Sequence, residues 1–519
     1  MKKIVFSLLS IGLFGMTACN SFLDENPKSS ITSGAYYKTE AQAIANVNYL
    51  YRSGAPQRYS NAGSAYLGPN ASINGMLTGY FTNSYEGQEI VCMYARQLNR
   101  QQYTQTISNT MNDIWDNCYA SINVTNAAIK YIPTIEMSTE TANKLVAEAK
   151  FFRAFNYFYL VKTFGAIPMP TEPYESLENL YLERTPVASV YELIESDLKT
   201  AVETLPAVKF ASNAHRITQY VAAMTLANVY LQQGKYAEAA EQAKIVVNSP
   251  HSLTPNTDLG VNSAYNKLRS TDNLDEVIYA QEFDATINNS GWWPTYAFSS
   301  QAVALFGTYS IFERVYGPTN QFLNVYKSDD LRIQPNQFFH WTYTHPASGL
   351  VWTSQVAGCW YYYDEEALLN TGKGTKDWNF YRYAEALLIA AEATAQSSGV
   401  TAEAAGYLAQ IKARADMEGK TTAQYATELQ GLSKDAFVQE CWTERLREFP
   451  LEFKIWDDCL RTGMFPVIST TEKGKVEYQS LVGSTNGSGA TFKESDLLWP
   501  ISVDELQRNP SLTQNPGYN

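Results

Sequence analysis

"AAMTLANVYLQQGKYAEAAEQAKIVVNSP", residues 222–250, holds the spacing that decides the fold. Leu226, Ala227, Tyr230, Gly234, Tyr236, Ala239 and Pro250 recur in it as small residue, aromatic knob, turn glycine and small residue. Ala227 and Ala239 let two helix backbones approach, and Tyr230 fills the groove between them. "RAFNYFYL", residues 153–160, repeats the small-x-x-aromatic step at Ala154 and Tyr157. A helix pair of this kind cannot bury its apolar face alone, so neighbouring pairs must stack on it.

The spacing is close to that of tetratricopeptide repeats. Apolar residues at three- and four-residue intervals predict further helices over 39–52, 110–131, 139–163, 187–204, 216–232 and 235–248. The same period returns over 379–397, 402–416 and 433–462, where Gly463 ends it. Ser138 is placed to cap the helix that follows, with Glu140 in its first turn, and Thr185-Pro186 reads as a cap followed by a first-turn proline. Between 251 and 378 the helical period fades into a stretch rich in Asn, Ser, Thr, Gly and Pro. A structureless loop of that length is foreign to a compact domain, so short strands and ordered loops packed on the helices are expected. The predicted fold is therefore mainly α: tetratricopeptide-like helix pairs form a scaffold, and a large irregular, loop-rich region carries short strands. Residues 39–519 read as one domain, with the scaffold at 39–250 and 379–463, the loop-rich region at 251–378 and a C-terminal strap at 495–519.

The chain has 519 residues and a formal net charge of -13, so it offers no basic field to nucleic acid or to anionic lipid. Its front carries Lys2-Lys3, an apolar run from Ile4 to Met16, then Thr17-Ala18-Cys19. That run is shorter than the ~20 residues needed to cross a bilayer and reads as a signal peptide, residues 1–18. The Ala-Cys ending resembles a bacterial lipobox, which implies acylation of Cys19 and an extended tether over 19–38. Asp24-Glu25 resemble the acidic tether that carries some lipoproteins to the cell surface. Cys92, Cys118, Cys359, Cys441 and Cys459 form no CxxC or Cys/His cluster; Cys92 and Cys118 are either a disulfide or, like the others, small buried hydrophobes. No cofactor is expected, and isolated Asp and Asn residues in loops carry no diagnostic spacing for a structural calcium site.

Eight segments in register resemble the SusD/RagB-like outer-membrane nutrient-binding lipoproteins. They are "CNSFLDENP" at 19–27, "IWDNCYASINVTN" at 114–126, "AEAKFFRAFNYFYLVKTFGAIPMP" at 147–170 and "TPVASVYELIESDLKTAVETLP" at 185–206. The others are "RITQYVAAMTLANVYLQQGKYAEAA" at 216–240, "FYRYAEALLIAAEA" at 380–393, "ERLREFPLEFKIWDDCLRTG" at 444–463 and "WPISVDELQRNPSLTQNPGY" at 499–518. The resemblance implies a lipid-anchored helical protein on the outside of a Gram-negative outer membrane. Such proteins cap a TonB-dependent, SusC-like transporter, capture glycans or, in RagB-like branches, peptides, and do no covalent chemistry. The family pattern has Gly and Arg where this chain has Phe453 and Lys454, a departure in a packing turn.

Arg153, Arg382, Glu385, Glu392, Glu444, Arg445 and Arg447 fall within apolar helical stretches, where unpaired charge is costly, and are expected to form structural ion pairs. A sugar offers a C–H face and a rim of hydroxyls, so its binder needs flat rings with polar partners at their edges. Trp292 and Trp293, in "INNSGWWPTYAF", and Tyr296 are the first candidates, with Tyr80 and Tyr85 in "GYFTNSYEG" from the N-terminal side. Trp341, Trp352 and Trp360 form a second tier. Among the competing classes, a glycosidase would need a carboxylate pair, but Glu365-Glu366 and Asp457-Asp458 arise by chance among 52 acidic residues. The four histidines sit in no recognisable triad or metal spacing. A purely structural interaction module is the third class.

Overall fold

The computed structural model describes residues 36–53, 75–82, 105–176, 180–284, 286, 294, 298, 300–307 and 316–518. Helices α1 (Glu40–Ser53), α2 (Gln105–Tyr131), α3 (Thr139–Phe164), α4 (Val187–Thr204), α5 (Gln219–Gln232) and α6 (Tyr236–Val247) form the first half of the scaffold. From α2 onward each packs on the next in chain order, and α1 lies against α2 and α3. The second half comprises α7 (Tyr383–Ser398), α8 (Ala402–Ala415), α9 (Thr422–Gln430), α10 (Lys434–Glu448) and α11 (Ile455–Thr462). Helix α6 packs directly on α7, so the array continues across the loop-rich insertion between them. Among the described residues no helix is long and apolar enough to cross a membrane.

The α5–α6 pair forms as its spacing predicts. Ala227 and Ala239 are wholly buried at the close approach, Tyr230 fills the groove, and Gly234 turns the chain at φ 70°. Ser138 accepts the Thr141 N–H at 3.0 Å, and Gly463 ends α11 at φ 65°. Thr185, in contrast, caps nothing. It exchanges two backbone hydrogen bonds with Ile167, at 2.8 and 3.3 Å, which seat the entry to α4 against the end of α3.

The loop-rich region holds the expected short strands. Strand β1 (Val277–Gln281) pairs antiparallel with β4 (Trp378–Arg382), while β2 (His340–Thr344) and β3 (Val351–Gly358) form a hairpin. Beyond the scaffold, β5 (Met464–Ile468) pairs with β6 (Val476–Ser480). Residues 379–382 therefore begin as strand, not helix, because the backbone groups of β1 claim them before α7 starts. The helix expected over 433–462 is two, α10 and α11, parted by residues 449–454. Pro450 lacks an N–H to continue α10, and Phe453 takes the left-handed conformation at φ 56°. This is the position at which the family pattern has Gly. Phe453 holds it because its ring, 1% exposed, packs between Trp378 at 5.0 Å and Tyr316 at 4.6 Å. Helix α9 was not anticipated; the reciprocal capping of Thr421 and Gln424 starts it. The C-terminal segment crosses the end of α3, with the Trp499 N–H donating to Thr163 O at 2.8 Å and Asn515 Nδ2 to Phe164 O at 3.0 Å.

The charged residues anticipated in apolar helices are all paired. Arg153 bonds Asp197 at 2.7 and 2.9 Å, Arg461 bonds Glu392, and Arg445 bonds Asp458 and Glu385. Glu444 meets Arg332 and Arg447. Arg382, wholly buried, bonds Glu452 at 2.8 Å, Glu276 at 2.5 Å and Glu448 at 3.0 Å. Removing one partner of such a cluster strands buried charge. Arg382→Met is expected to destabilise the fold by about 3–5 kcal/mol in urea unfolding, whereas Lys130→Ala, which breaks exposed pairs with Glu172 and Glu175, is expected to leave the unfolding midpoint nearly unchanged.

Candidate functional site

Residues 377–379 open β4 and carry Asp377, Trp378 and Asn379. Pairing of Gln281 with Trp378 and of Ala280 with Asn379 fixes them against β1. Trp378 lies between two parallel rings, Tyr362 at 5.8 Å with planes 9° apart and Phe453 at 5.0 Å and 10°. Tyr362 in turn belongs to the short turn Trp360–Tyr362, so the tyrosine run and β4 share one wall. That wall encloses a cavity of about 580 Å³, which Tyr361, Tyr362, Tyr363, Trp378 and Pro294 line on the ring side. Asp272, Asp364, Asp377 and Glu452 line it with carboxylates. The Pro294 ring approaches Gly374 so closely that a Cβ there would meet its Cγ at 2.7 Å, which explains the glycine.

Comparison with known proteins follows this geometry. The family model described as the SusD family matches residues 280–518, and one described as "Starch-binding associating with outer membrane" matches residues 21–231. The chain belongs to the SusD/RagB-like family. SusD-like protein P2 of Formosa agariphila is 27% identical over 537 residues, spanning 99% of each chain. A SusD superfamily protein from Parabacteroides distasonis superposes with a TM-score of 0.75 at 25% identity, over 92% of this chain and 99% of its own. The surface glycan-binding protein A of Bacteroides thetaiotaomicron, solved in complex with laminarihexaose, shares the fold with a TM-score of 0.70 at 17% identity, over 92% of this chain and 100% of its own.

Within this family member, the sequence candidates fall into distinct groups. Trp292, Trp293, Tyr296, Tyr85 and Cys19, the expected site of acylation, lie outside the described residues, as does Cys92. Pro294, directly after the tryptophan pair, is a cavity residue. Trp360 braces the wall from behind. Its ring stacks on Tyr363 at 4.0 Å, its Nε1 donates to Asn266 Oδ1 at 3.4 Å, and the Arg269 guanidinium sits 5.5 Å from it. Trp341 and Trp352 are half-buried on the β2–β3 hairpin and do not line the cavity. Tyr80 is corrected: it is 1% exposed, its ring stacks on Phe465 at 5.6 Å, and its hydroxyl donates to Pro466 O and accepts the Ile468 N–H. It supports β5 and has no face left for a ligand. The carboxylates of the cavity were missed because they come from four separate segments, and the pair Glu365-Glu366, set aside as chance, lies on the cavity lining.

Asp377 is the most perturbed of these acids. Burial, reinforced by the nearby Asp272 carboxylate, pushes it up to about 7, against the hydrogen bond it accepts from the Phe283 N–H at 3.0 Å. The folded protein thus holds this proton more tightly than the unfolded chain, whose carboxyl titrates near 3.8. The contribution to stability is complete below pH 3.8 and is lost as pH rises through about 7. Urea unfolding at pH 5 and pH 8 is expected to show a drop in stability with rising pH that is smaller in Asp377→Asn, which keeps the acceptor for Phe283.

Proposed function

We propose that the protein is a surface-exposed outer-membrane lipoprotein that captures glycans or oligosaccharides without cleaving them and passes them to a SusC-like TonB-dependent transporter. The observation that carries this reading is the ring-walled cavity beside Pro294. A volume of about 580 Å³ is right for one or two sugar units, the edges of the lining rings offer apolar contact to their C–H groups, and the carboxylate and amide groups suit their hydroxyls. Trp292, Trp293 and Tyr296 flank Pro294 in sequence and, with Tyr85, are the aromatic residues proposed to take part in binding. The laminarihexaose complex of a protein with this fold supports a carbohydrate over other polar ligands. The signal peptide at 1–18, lipid on Cys19 and the tether at 19–38 would hold the domain at the membrane while leaving it in water.

The reading is of binding without cleavage. Asp457 and Asp458, a possible carboxylate pair, are occupied by Lys162 and by Arg445 and Arg461. Calorimetry of the mature chain against a glycan panel is expected to show binding, with no release of reducing ends. Replacing Trp292 and Trp293 together by Ala is expected to weaken that binding by about 1–3 kcal/mol per lost stacking face while the fold persists. Unchanged affinity in the double variant would overturn the assignment of the tryptophans. Cys19→Ala is expected to move the protein from the membrane fraction to the soluble fraction.

A further inference from the structure

Charge distinguishes this cavity from a generic sugar cleft. Among the described residues, six carboxylates line it, Asp272, Asp364, Glu365, Glu366, Asp377 and Glu452, against the two cations Arg269 and Lys376. Both cations are already engaged: Lys376 pairs with Asp272, and Arg269 donates to Asn266 Oδ1 at 3.0 Å and to Tyr363 O at 2.9 Å. Among the described residues, no three acidic, cysteine or histidine side chains converge in a way that could hold a metal ion.

A second observation points to hydrogen-bond donors as the missing partners. Glu452 and Asn379 line the cavity and are 7% and 3% exposed. Glu452 Oε1 accepts from Arg382, yet among the described residues its Oε2 has no hydrogen-bond partner, and neither does Asn379 Oδ1. Buried acceptors without donors are unfavourable, and a ligand bringing hydroxyl or ammonium hydrogens satisfies them. A carboxylate or sulfate group on the ligand supplies no donor of its own where a hydroxyl would, and it adds like charge in a partly desolvated site.

We propose that this cavity reads the charge of the sugar it receives: it admits neutral or amine-bearing units and rejects units carrying carboxylate or sulfate. The inference rests on the glycan-capture reading and narrows it to a substrate class. Glu365 and Glu366, both exposed, filter at the mouth, while Glu452 and Asn379 take hydroxyl hydrogens at the floor.

The test is calorimetry of the mature chain with malto-, cello-, laminari- and mannohexaose, each beside its C6-oxidised uronate counterpart, so that each pair shares a backbone and differs in charge. Whichever neutral hexaose binds, its uronate form is expected to bind at least about tenfold more weakly at pH 8, the like-charge penalty being large in a partly desolvated site. The gap is expected to narrow severalfold in the variant Asp364→Asn, Glu365→Gln, Glu366→Gln. The unmodified protein supplies a second readout. Asp377 is surrounded by Asp272, Glu282 and Lys376 and gains its charge near pH 7, so the discrimination is expected to be smaller at pH 5.5 than at pH 8. A uronate hexamer that binds as tightly as its neutral partner overturns the charge selection alone. Failure of every hexaose to bind overturns both this inference and the glycan-capture reading.

Discussion

Glu448 is the point from which the architecture is held. Its side chain is wholly buried at the end of α10 and accepts from three guanidinium groups: Arg332 at 3.1 Å, Arg382 at 3.0 Å and Arg414 at 2.5 Å. These arginines come from the loop-rich region, from β4 and from α8. One carboxylate thus ties the insertion to the second half of the helical array. Glu276, just before β1, closes the arrangement by bonding both Arg382 and Arg414. Its carboxyl is buried, which alone would favour the neutral acid, but the two adjacent guanidinium groups outweigh burial and hold it below the usual range. Multiple guanidinium–carboxylate pairing of this kind is what makes so many buried charges tolerable, although Glu452 Oε2 and Arg414 Nε find no hydrogen-bond partner among the described residues. A half-paired set would cost more than an apolar core.

The cavity depends on that anchorage. Arg382 ends β4, so the same ion pairs that lock it also place Asp377, Trp378 and Asn379, three to five residues earlier in the strand or just before it, against β1. The stack of Tyr362, Trp378 and Phe453 then joins three chain segments into one wall. Phe453 pays a local backbone strain at φ 56° for its place in this stack, and the burial of a whole aromatic ring outweighs a cost of about 1–2 kcal/mol. The neighbouring Lys454 donates to Phe380 O at 2.7 Å and pairs with Glu385, so the turn between α10 and α11 also bonds the strand that forms the wall. The two departures from the family pattern at 453 and 454 therefore bear on the wall of the cavity rather than on a remote turn.

The division of labour between scaffold and insertion follows from the same physics. Helix α6 packs on α7 as if the chain between them were absent, so the array buries its own apolar faces and leaves the insertion free of that duty. The insertion can then expose polar edges and enclose a cavity. Its stability comes from ring stacking and buried ion pairs together with apolar residues such as Leu268, Ile278, Phe322 and Leu331 that join the scaffold's core.

The helical half of the protein was determined by the sequence alone. Small residues at 227 and 239, the ring at 230, the glycine at 234 and the cap at Ser138 act within one or two turns, and every one is found in the role its spacing implies. The need for ion pairs was equally plain, since a buried charge must be paired whatever its partner. Only the tertiary structure decided which partner: Asp330, Glu276 and Glu452 lie far along the chain from the arginines of the network or in irregular segments without periodicity. The same holds for the rings and acids of the site. Tyr80 reads like a loop aromatic yet is consumed as packing beneath β5, and Asp377 looks like any surface aspartate until burial and Asp272 raise its affinity for a proton. Local spacing encodes interactions between near neighbours along the chain, whereas a cavity is a property of segments that meet only once folded.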